Sequence, residues 1–268
     1  MSQDQAAQVG RSARRAARSP ALARAARAGY AASGLVHLLV AYLALQVAWT
    51  GGGEQADQSG ALSVLADNGF GKALLWLTAL GCAALALWRL ADAVVDTRGG
   101  KGRAVRAAKG VATAGVYAVL AVSAARFAVG QGRSSSGQSK GLTARLMDQP
   151  GGRVLVVLLG LVVVAVGVYH GYKGVTRGFL EDLRENPGPA VVRLAVVGHI
   201  AKGVALVVVG LLFCSAGLRS RPGQAGGLDA ALKTLRDAPA GPYLLTAVAL
   251  GIAAYGVYSF ARARYARL

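Results

Sequence analysis

Six long apolar runs constrain this chain more than any other feature of its sequence. Each is about 18 to 25 residues long and nearly free of charge, which is enough to cross a hydrocarbon core about 30 Å thick. Backbone polar groups cannot stay unpaired in lipid, and the runs lack the apolar–polar alternation of an outer-membrane strand. They therefore predict six transmembrane helices, at Ala28–Thr50, Gly71–Val94, Val111–Val129, Val154–Val175, Val192–Ala216 and Tyr243–Phe260.

Basic residues are distributed unequally between the two ends of these runs. The net charge is +18, and 54% of the 268 residues are hydrophobic. The two tails and the even-numbered loops carry eighteen Lys and Arg residues, whereas the opposite side carries nine. The positive-inside rule therefore predicts that both termini lie in the cytoplasm. An anionic lipid surface accounts for this charge, so the bilayer is the expected partner and no specific nucleic acid is.

Two short motifs occur three times along the chain. The first precedes each even span as L-x-D-x-[GP]-x-G, and the second opens each odd span as G-x4-G. The first motif reads LADNGFGKALL at Leu65–Leu75, LMDQPGGRVLV at Leu146–Val156 and LRDAPAGPYLL at Leu235–Leu245. The second reads GYAASG at Gly29–Gly34, GVATAG at Gly110–Gly115 and GHIAKG at Gly198–Gly203.

These repeats predict an all-α membrane protein built from three two-helix units. The predicted divisions are a basic, disordered tail at 1–21 and repeats at 22–96, 104–178 and 190–265. Because each unit has an even number of spans, successive units cross the membrane in the same orientation, unlike inverted-repeat transporters. Three parallel units would close around a pseudo-threefold axis along the membrane normal.

The two repeated motifs resemble those of the family called domain of unknown function 1206. In that family a two-helix membrane unit occurs three times in each protein, and the resemblance covers about residues 22 to 265. It implies the six-helix architecture and a multi-pass protein of a bacterial plasma membrane. It brings no established activity with it.

The repeated acids Asp67, Asp148 and Asp237 suggest caps more than chemistry. Each lies two residues before Gly or Pro, just ahead of an apolar span. An Asp at such a place can accept hydrogen bonds from the free amides of a first helical turn, so we expect structural N-caps. The alternative is an outer ring of carboxylates that attracts cations.

Lys202 is the most unusual single residue, since it lies about ten residues inside the fifth span, where a charge is costly. His199 precedes it by three residues on the same helical face. The equivalent pair in the first repeat is Ser33 with Tyr30. These residues are a candidate polar site within the membrane, for example an anion site or a gate. The alternatives are that Lys202 snorkels to the inner headgroups, or that it pairs with Asp92 or another acid near the cytoplasmic side.

His37 completes the candidate polar site, because it lies in the middle of the first span. The three histidines and two cysteines lack the spacing of a metal site, and no nucleophile–base motif is present, so the sequence predicts no metal, cofactor or catalytic residue. The G-x-x-x-G at Gly167–Gly171 predicts close packing between helices within the chain.

The function expected from these features is that of a structural or partner-binding membrane component, with a membrane protein as its possible partner. The lack of catalytic groups and the scarcity of buried charge favour this interpretation. The alternative is a small-solute transporter or pore on the pseudo-threefold axis, and a membrane-embedded enzyme stays open as a third reading.

Overall fold

A computed structural model describes residues 20–50, 55–67, 69–95 and 103–266. Most of the predicted tail at 1–21 therefore lies outside the described residues. Within the described ranges the chain forms six long and three short α-helices. The long ones are α1 (Pro20–Thr50), α3 (Gly69–Val95), α4 (Arg103–Ala128), α6 (Gly152–Val175), α7 (Pro189–Arg219) and α9 (Gly241–Tyr265). The short ones are α2 (Gln58–Ala66), α5 (Ser135–Met147) and α8 (Gly227–Arg236).

The six long helices match the six predicted spans. Each contains a segment that is long and apolar enough to cross a membrane. The start of α1 and the end of α9, together with the ends of α3 and α6 and the starts of α4 and α7, therefore lie on one side of the bundle, which we call the terminal side. The three short helices lie on the other side, which we call the short-helix side. The prediction of an all-helical, six-span protein is confirmed.

With one exception, consecutive spans pack on each other, and the last span packs on the first. The strongest contacts join different repeats, α3 with α4, α6 with α7, and α9 with α1. Within the first repeat α1 packs on α3, and within the third α7 packs on α9. The spans of the second repeat, α4 and α6, do not pack along their length. The threefold arrangement therefore stays a prediction, because one contact that it requires is missing.

Hydrogen bonds tie the first two short helices together. The Ser134 hydroxyl donates to Oε1 of Gln55 at 2.7 Å, and the Ser135 backbone N–H donates to Oγ of Ser59 at 2.9 Å. Ser134 also caps α5, since its hydroxyl accepts from the Gly137 backbone N–H at 2.9 Å. The first two bonds join the start of α5 in the second repeat to residues in or just before α2 of the first repeat.

The third short helix joins this layer through a buried carboxylate. Asp229 on α8 accepts the backbone N–H of Ala56, just before α2, at 3.0 Å. Its other oxygen accepts from Lys233 at 2.9 Å. Asp57 is the N-cap of α2 and accepts the backbone N–H groups of Ser59 and Gly60. The short helices of all three repeats thus form one hydrogen-bonded layer across this side of the bundle.

The predicted N-caps of the even spans are wrong. Asp67, Asp148 and Asp237 instead occupy the C-cap positions of α2, α5 and α8, in right-handed helical conformation. The N-caps of α6 and α9 are Gly151 and Ala240, both left-handed and without a side-chain bond. A short helix ends where the sequence pattern places the start of the next span, so the acids end one helix and do not begin the other.

The last glycine of each corner motif explains why the motif repeats. At Gly71 and Gly152 an added Cβ would overlap the carbonyl oxygens of Leu65 and Leu146, and at Gly241 it would overlap that of Arg236. The chain turns so tightly from the short helix into the span that only hydrogen fits at this position. The motif therefore specifies the tight turn between each short helix and the span that follows it.

Glycines also line the most extensive contact between two spans, that of α6 with α7. An added Cβ on Gly167 would lie 2.8 Å from the carbonyl oxygen of Gly203, and one on Gly160 would lie 2.7 Å from that of Gly210. Small residues at this spacing let two helix backbones touch, which is the main source of packing energy in lipid. Gly171 differs, because a Cβ there would meet nothing within 4 Å.

We expect Gly167→Ala to destabilise the protein by about 1–3 kcal/mol, since its methyl group would force α6 and α7 apart. Gly171→Ala is the matched control in the same motif. It should leave stability unchanged or raise it by up to about 1 kcal/mol, because alanine favours a helix. Unfolding of the purified variants in a denaturing detergent series measures both. An equal loss of stability from the two substitutions would contradict the close packing of α6 on α7 at Gly167.

Candidate functional site

Lys202 lies deep in the bundle. It stands thirteen residues after the start of α7 and seventeen before its end. At 1.5 Å per residue, these separations are about 20 Å and 25 Å. Its Nζ lies over the ring of Tyr255 on α9, 4.2 Å from the ring centroid, so the side chain points into the bundle. No carboxylate in the described part of the chain forms an ion pair with it.

Lys202 lines a cavity of about 250 Å³ between the spans. Helices α1, α3, α4, α7 and α9 contribute to its wall, and α2 and α8 close it on the short-helix side through Gln58 and Leu228. Most other lining side chains are aliphatic. The polar lining groups are Ser33, His37, Gln58, Thr78, Lys202 and Tyr255, with Cys82 beside them.

Three of the five residues of the predicted polar site meet in this cavity, namely Ser33, His37 and Lys202. Nδ1 of His37 lies 2.7 Å from the Ser33 carbonyl oxygen. Because a carbonyl can only accept, this nitrogen carries the proton and donates it. The His37 ring also contacts Tyr255, with their centroids 4.9 Å apart. Tyr255 therefore touches both the histidine and the lysine of the site.

His199 lies outside the cavity wall, in an aromatic layer on the terminal side of Tyr255. Its ring stacks on Phe179 with 5.0 Å between centroids, and it meets Tyr255 and Tyr258 at 5.2 Å each. Nδ1 of His199 lies 2.7 Å from the Ala195 carbonyl oxygen, to which it donates. The side chain is buried and packs as a core residue.

Tyr30 also lies outside the cavity wall, nearer the terminal side. Its hydroxyl accepts from Nη2 of Arg89 at 3.1 Å. Its ring meets that of Tyr117 edge to face at 6.4 Å, and the Arg262 guanidinium lies over it at 4.6 Å. Residues from α1, α3, α4 and α9 meet here, so Tyr30 joins spans of all three repeats.

An ion network continues this layer to the terminal surface. Asp182, at the end of a 3-10 helix over Gly178–Asp182, binds Lys173 of α6 at 2.6 Å and Arg262 of α9 at 3.8 Å. Burial alone would raise the pKa of the Asp182 carboxyl, but the Arg262 guanidinium and the Lys173 ammonium outweigh it. The net result is a pKa below the ordinary value. The Asp182 carboxylate therefore links one basic residue of α6 to one basic residue of α9.

Two residues of this region were not predicted from the sequence. Tyr255 contacts His37, Lys202 and His199 together. The sequence feature that could have indicated Tyr255 is its position three residues before the repeated Tyr258, on the same helical face. Asp182 gave a weaker signal, as an acid in a loop next to basic span ends.

The arrangement suits electrostatic binding better than catalysis. A cation in an apolar cavity attracts an anion strongly, because the low dielectric weakens screening. Among the described residues no group of three or more His, Cys, Asp and Glu side chains could hold a metal ion. Within the cavity lining, the His37 ring contacts the Tyr255 ring, and the Tyr255 ring in turn contacts Lys202.

The repeats can be compared with known families. The sequence pattern of the family described as Domain of Unknown Function (DUF1206) matches three times, at residues 28–96, 108–177 and 197–266. The chain belongs to the DUF1206 family. This DUF1206 chain is also 29% identical over 261 residues to the uncharacterized protein YxxB of Bacillus subtilis strain 168, and the match covers 92% of each chain. No solved structure matches it.

The match confirms the three tandem repeats and the resemblance to this family. The three matched segments each cover most of one odd span, together with one short helix and one even span of the fold. Neither the family description nor the relative's name assigns a ligand or an activity. The cavity of the DUF1206 chain therefore has to be interpreted from its own residues.

We expect Asp182→Asn to destabilise the protein near neutral pH, since Lys173 and Arg262 would lose their shared carboxylate. A lowered pKa adds stability that is present above the unfolded value of about 3.9 and is lost as pH falls through the folded value. The gap in unfolding temperature between wild type and variant should therefore shrink on acidification below about pH 5.

The control for this prediction is Glu181→Gln, which neutralises the exposed neighbouring acid. It should change the unfolding temperature little across the same pH series, because exposed charges contribute little to stability. Thermal unfolding of the three proteins from pH 7 to pH 3 measures this. A gap for Asp182→Asn that stays constant with pH would contradict the ionic role.

Proposed function

We propose that the chain is a membrane protein that binds a small, mainly apolar anion in the cavity between its spans. The observation that carries this proposal is Lys202, a cation placed mid-span in an aliphatic cavity and without an ion pair in the described part of the chain. Ionisable residues within a membrane span are costly and are usually offset by a partner. A bound anion would supply that partner.

The surroundings of Lys202 support an amphipathic ligand. The Tyr255 ring gives the ammonium a cation–π contact, which offsets only part of the charge. Beyond the lysine the cavity wall is formed by aliphatic residues such as Val36, Val209 and Ile252. A carboxylate or similar group at Lys202 would leave an apolar body to fill the rest of the cavity toward the short-helix side.

The size of the cavity limits the ligand to a small molecule. Its volume of about 250 Å³ is larger than the engineered cavity of ~150 Å³ that binds benzene in a small protein. An aliphatic chain of roughly eight carbons with one carboxylate falls in this range. We therefore choose octanoate as the probe and the uncharged 1-octanol as its counterpart.

The alternative of a solute pathway along the axis has less support. On the terminal side of Tyr255 lies the buried layer of Tyr30, Tyr258 and His199. On the other side the cavity ends at the layer of short helices. The proposal is accordingly limited to binding, and transport would require both layers to open.

The structural or partner-binding role predicted from the sequence stays a prediction. Its support is the broad apolar surface of α4 and α6, of whose span segments only 17% is buried within the chain. Lipid covers such a surface as well as a protein partner does. The unequal distribution of basic residues supports the further proposal that the protein lies in the plasma membrane with both termini in the cytoplasm.

The test of this proposal measures how far octanoate raises the unfolding temperature of the protein in lipid nanodiscs. We expect a concentration-dependent rise for wild type, and an at least tenfold higher half-saturating concentration for Lys202→Met. Lys202→Met keeps the length and apolar stem of the side chain and removes its charge. Octanol should stabilise wild type and Lys202→Met alike.

Lys72→Met serves as the control, since Lys72 is exposed near the short-helix end of α3 and outside the cavity wall. It should bind octanoate as wild type does. A half-saturating octanoate concentration that is the same for Lys202→Met and wild type would overturn the proposed site. The proposed site would also be overturned if octanoate did not raise the unfolding temperature of wild type.

A further inference from the structure

The ring of spans has one unsealed boundary, between α4 and α6. Every other pair of neighbouring spans in the ring packs along its length. α4 packs on α3 and α6 packs on α7, so both carry wide exposed faces. The cavity wall includes Leu120 of α4 but no residue of α6. The unsealed boundary therefore lies beside the cavity.

One contact fixes which faces of the two helices meet at this boundary. Nζ of Lys109 on α4 donates to the Tyr169 hydroxyl of α6 at 3.1 Å and lies 5.2 Å from the centre of its ring. The helices are antiparallel, so residues seven positions further from this contact on each helix lie on the same faces and at the same depth. These residues are Val116 and Val162, which are 60% and 59% exposed.

Val116 is adjacent to the cavity. Leu120 follows it by four residues, one helical turn away on the same side of α4. A ligand that passed from the lipid between Val116 and Val162 would therefore meet the cavity wall at Leu120. Small side chains without hydrogen bonds can yield to a passing chain more easily than the hydrogen-bonded layers can.

Both aqueous routes to the same cavity are obstructed. On the short-helix side the bonds of Asp229 with Ala56 and of Ser134 with Gln55 cross the bundle. On the other side, the aromatic rings of Tyr30, Tyr258 and the neighbours of His199 lie between Tyr255 and the terminal surface. The bilayer is the phase with the least obstructed route to the cavity.

We propose that the boundary between α4 and α6 is a lateral portal, and that the ligand is a single-chain anionic amphiphile taken from the bilayer. This inference rests on the proposed function, because it requires a ligand in the cavity. It adds the source and class of that ligand. The anionic group passes between the helices to Lys202, and the chain occupies the aliphatic part of the cavity.

The experiment uses octanoate with a diazirine at its chain end, added to the full-length protein in nanodiscs. Flash photolysis at increasing times after mixing, followed by peptide mapping, gives the rate at which cavity residues such as Val36 and Val209 become labelled. Val162→Trp and Val116→Trp narrow the portal from its two sides. Both positions face lipid, where a tryptophan is accommodated without burial.

Two matched controls place the same substitution elsewhere on the same helices. Val168 of α6 is 59% exposed and Val122 of α4 is 52% exposed, and each lies six residues from its portal counterpart, on a different face. We expect the portal variants to slow cavity labelling at least fivefold without changing its final extent. The control variants should label at the wild-type rate.

The outcomes separate this inference from the proposed function. If wild type labels its cavity but the portal and control variants label at equal rates, the portal is overturned and the binding site stands. If the wild-type cavity is not labelled at all, the binding site is overturned, and the portal with it. If one portal variant does not fold, the other, on the opposite helix, decides the result.

Discussion

The close approach of helix backbones at small residues determines the rest of this structure. In lipid there is no hydrophobic drive between helices, so spans associate where their surfaces fit closely. Gly29 and Gly81 lie at the contact of α1 with α3, and Gly34 and Gly256 at that of α1 with α9. Together with the glycine seam of α6 and α7, these contacts hold the ring of spans.

The same constraint explains where the ring stays open. The first glycine of the opening motif, Gly29, approaches Gly81 of α3 in its own repeat, and its counterpart Gly198 approaches Tyr255 of α9 in its own repeat. In the second repeat, Gly110 instead approaches Ala93 of α3, which belongs to the first repeat. The repeats share a motif but do not use it alike. The second repeat turns this glycine toward α3, and α4 and α6 remain apart.

The sequence predicted the spans and their repetition because both depend on local composition. It placed Ser33, His37 and Lys202 in one site because equivalent repeat positions face the same interior. It could not show that Tyr30 and His199 lie outside the cavity wall, since one face of a helix meets several neighbours and only packing decides which one a side chain contacts. It also misplaced the caps, because the same corner motif, an acid followed by Gly or Pro, can mark either the end of one helix or the start of the next.

The central claim is that Lys202 binds the anionic group of an amphiphile inside the bundle. Solid-state NMR on the protein in lipid, with ¹⁵N at the lysine ζ-nitrogens and ¹³C in the carboxylate of octanoate, measures this contact directly. The account predicts a dipolar coupling that corresponds to a separation of about 4 Å or less and that Lys202→Met abolishes. A carboxylate with no such coupling, or one whose coupling survives in Lys202→Met, would contradict it.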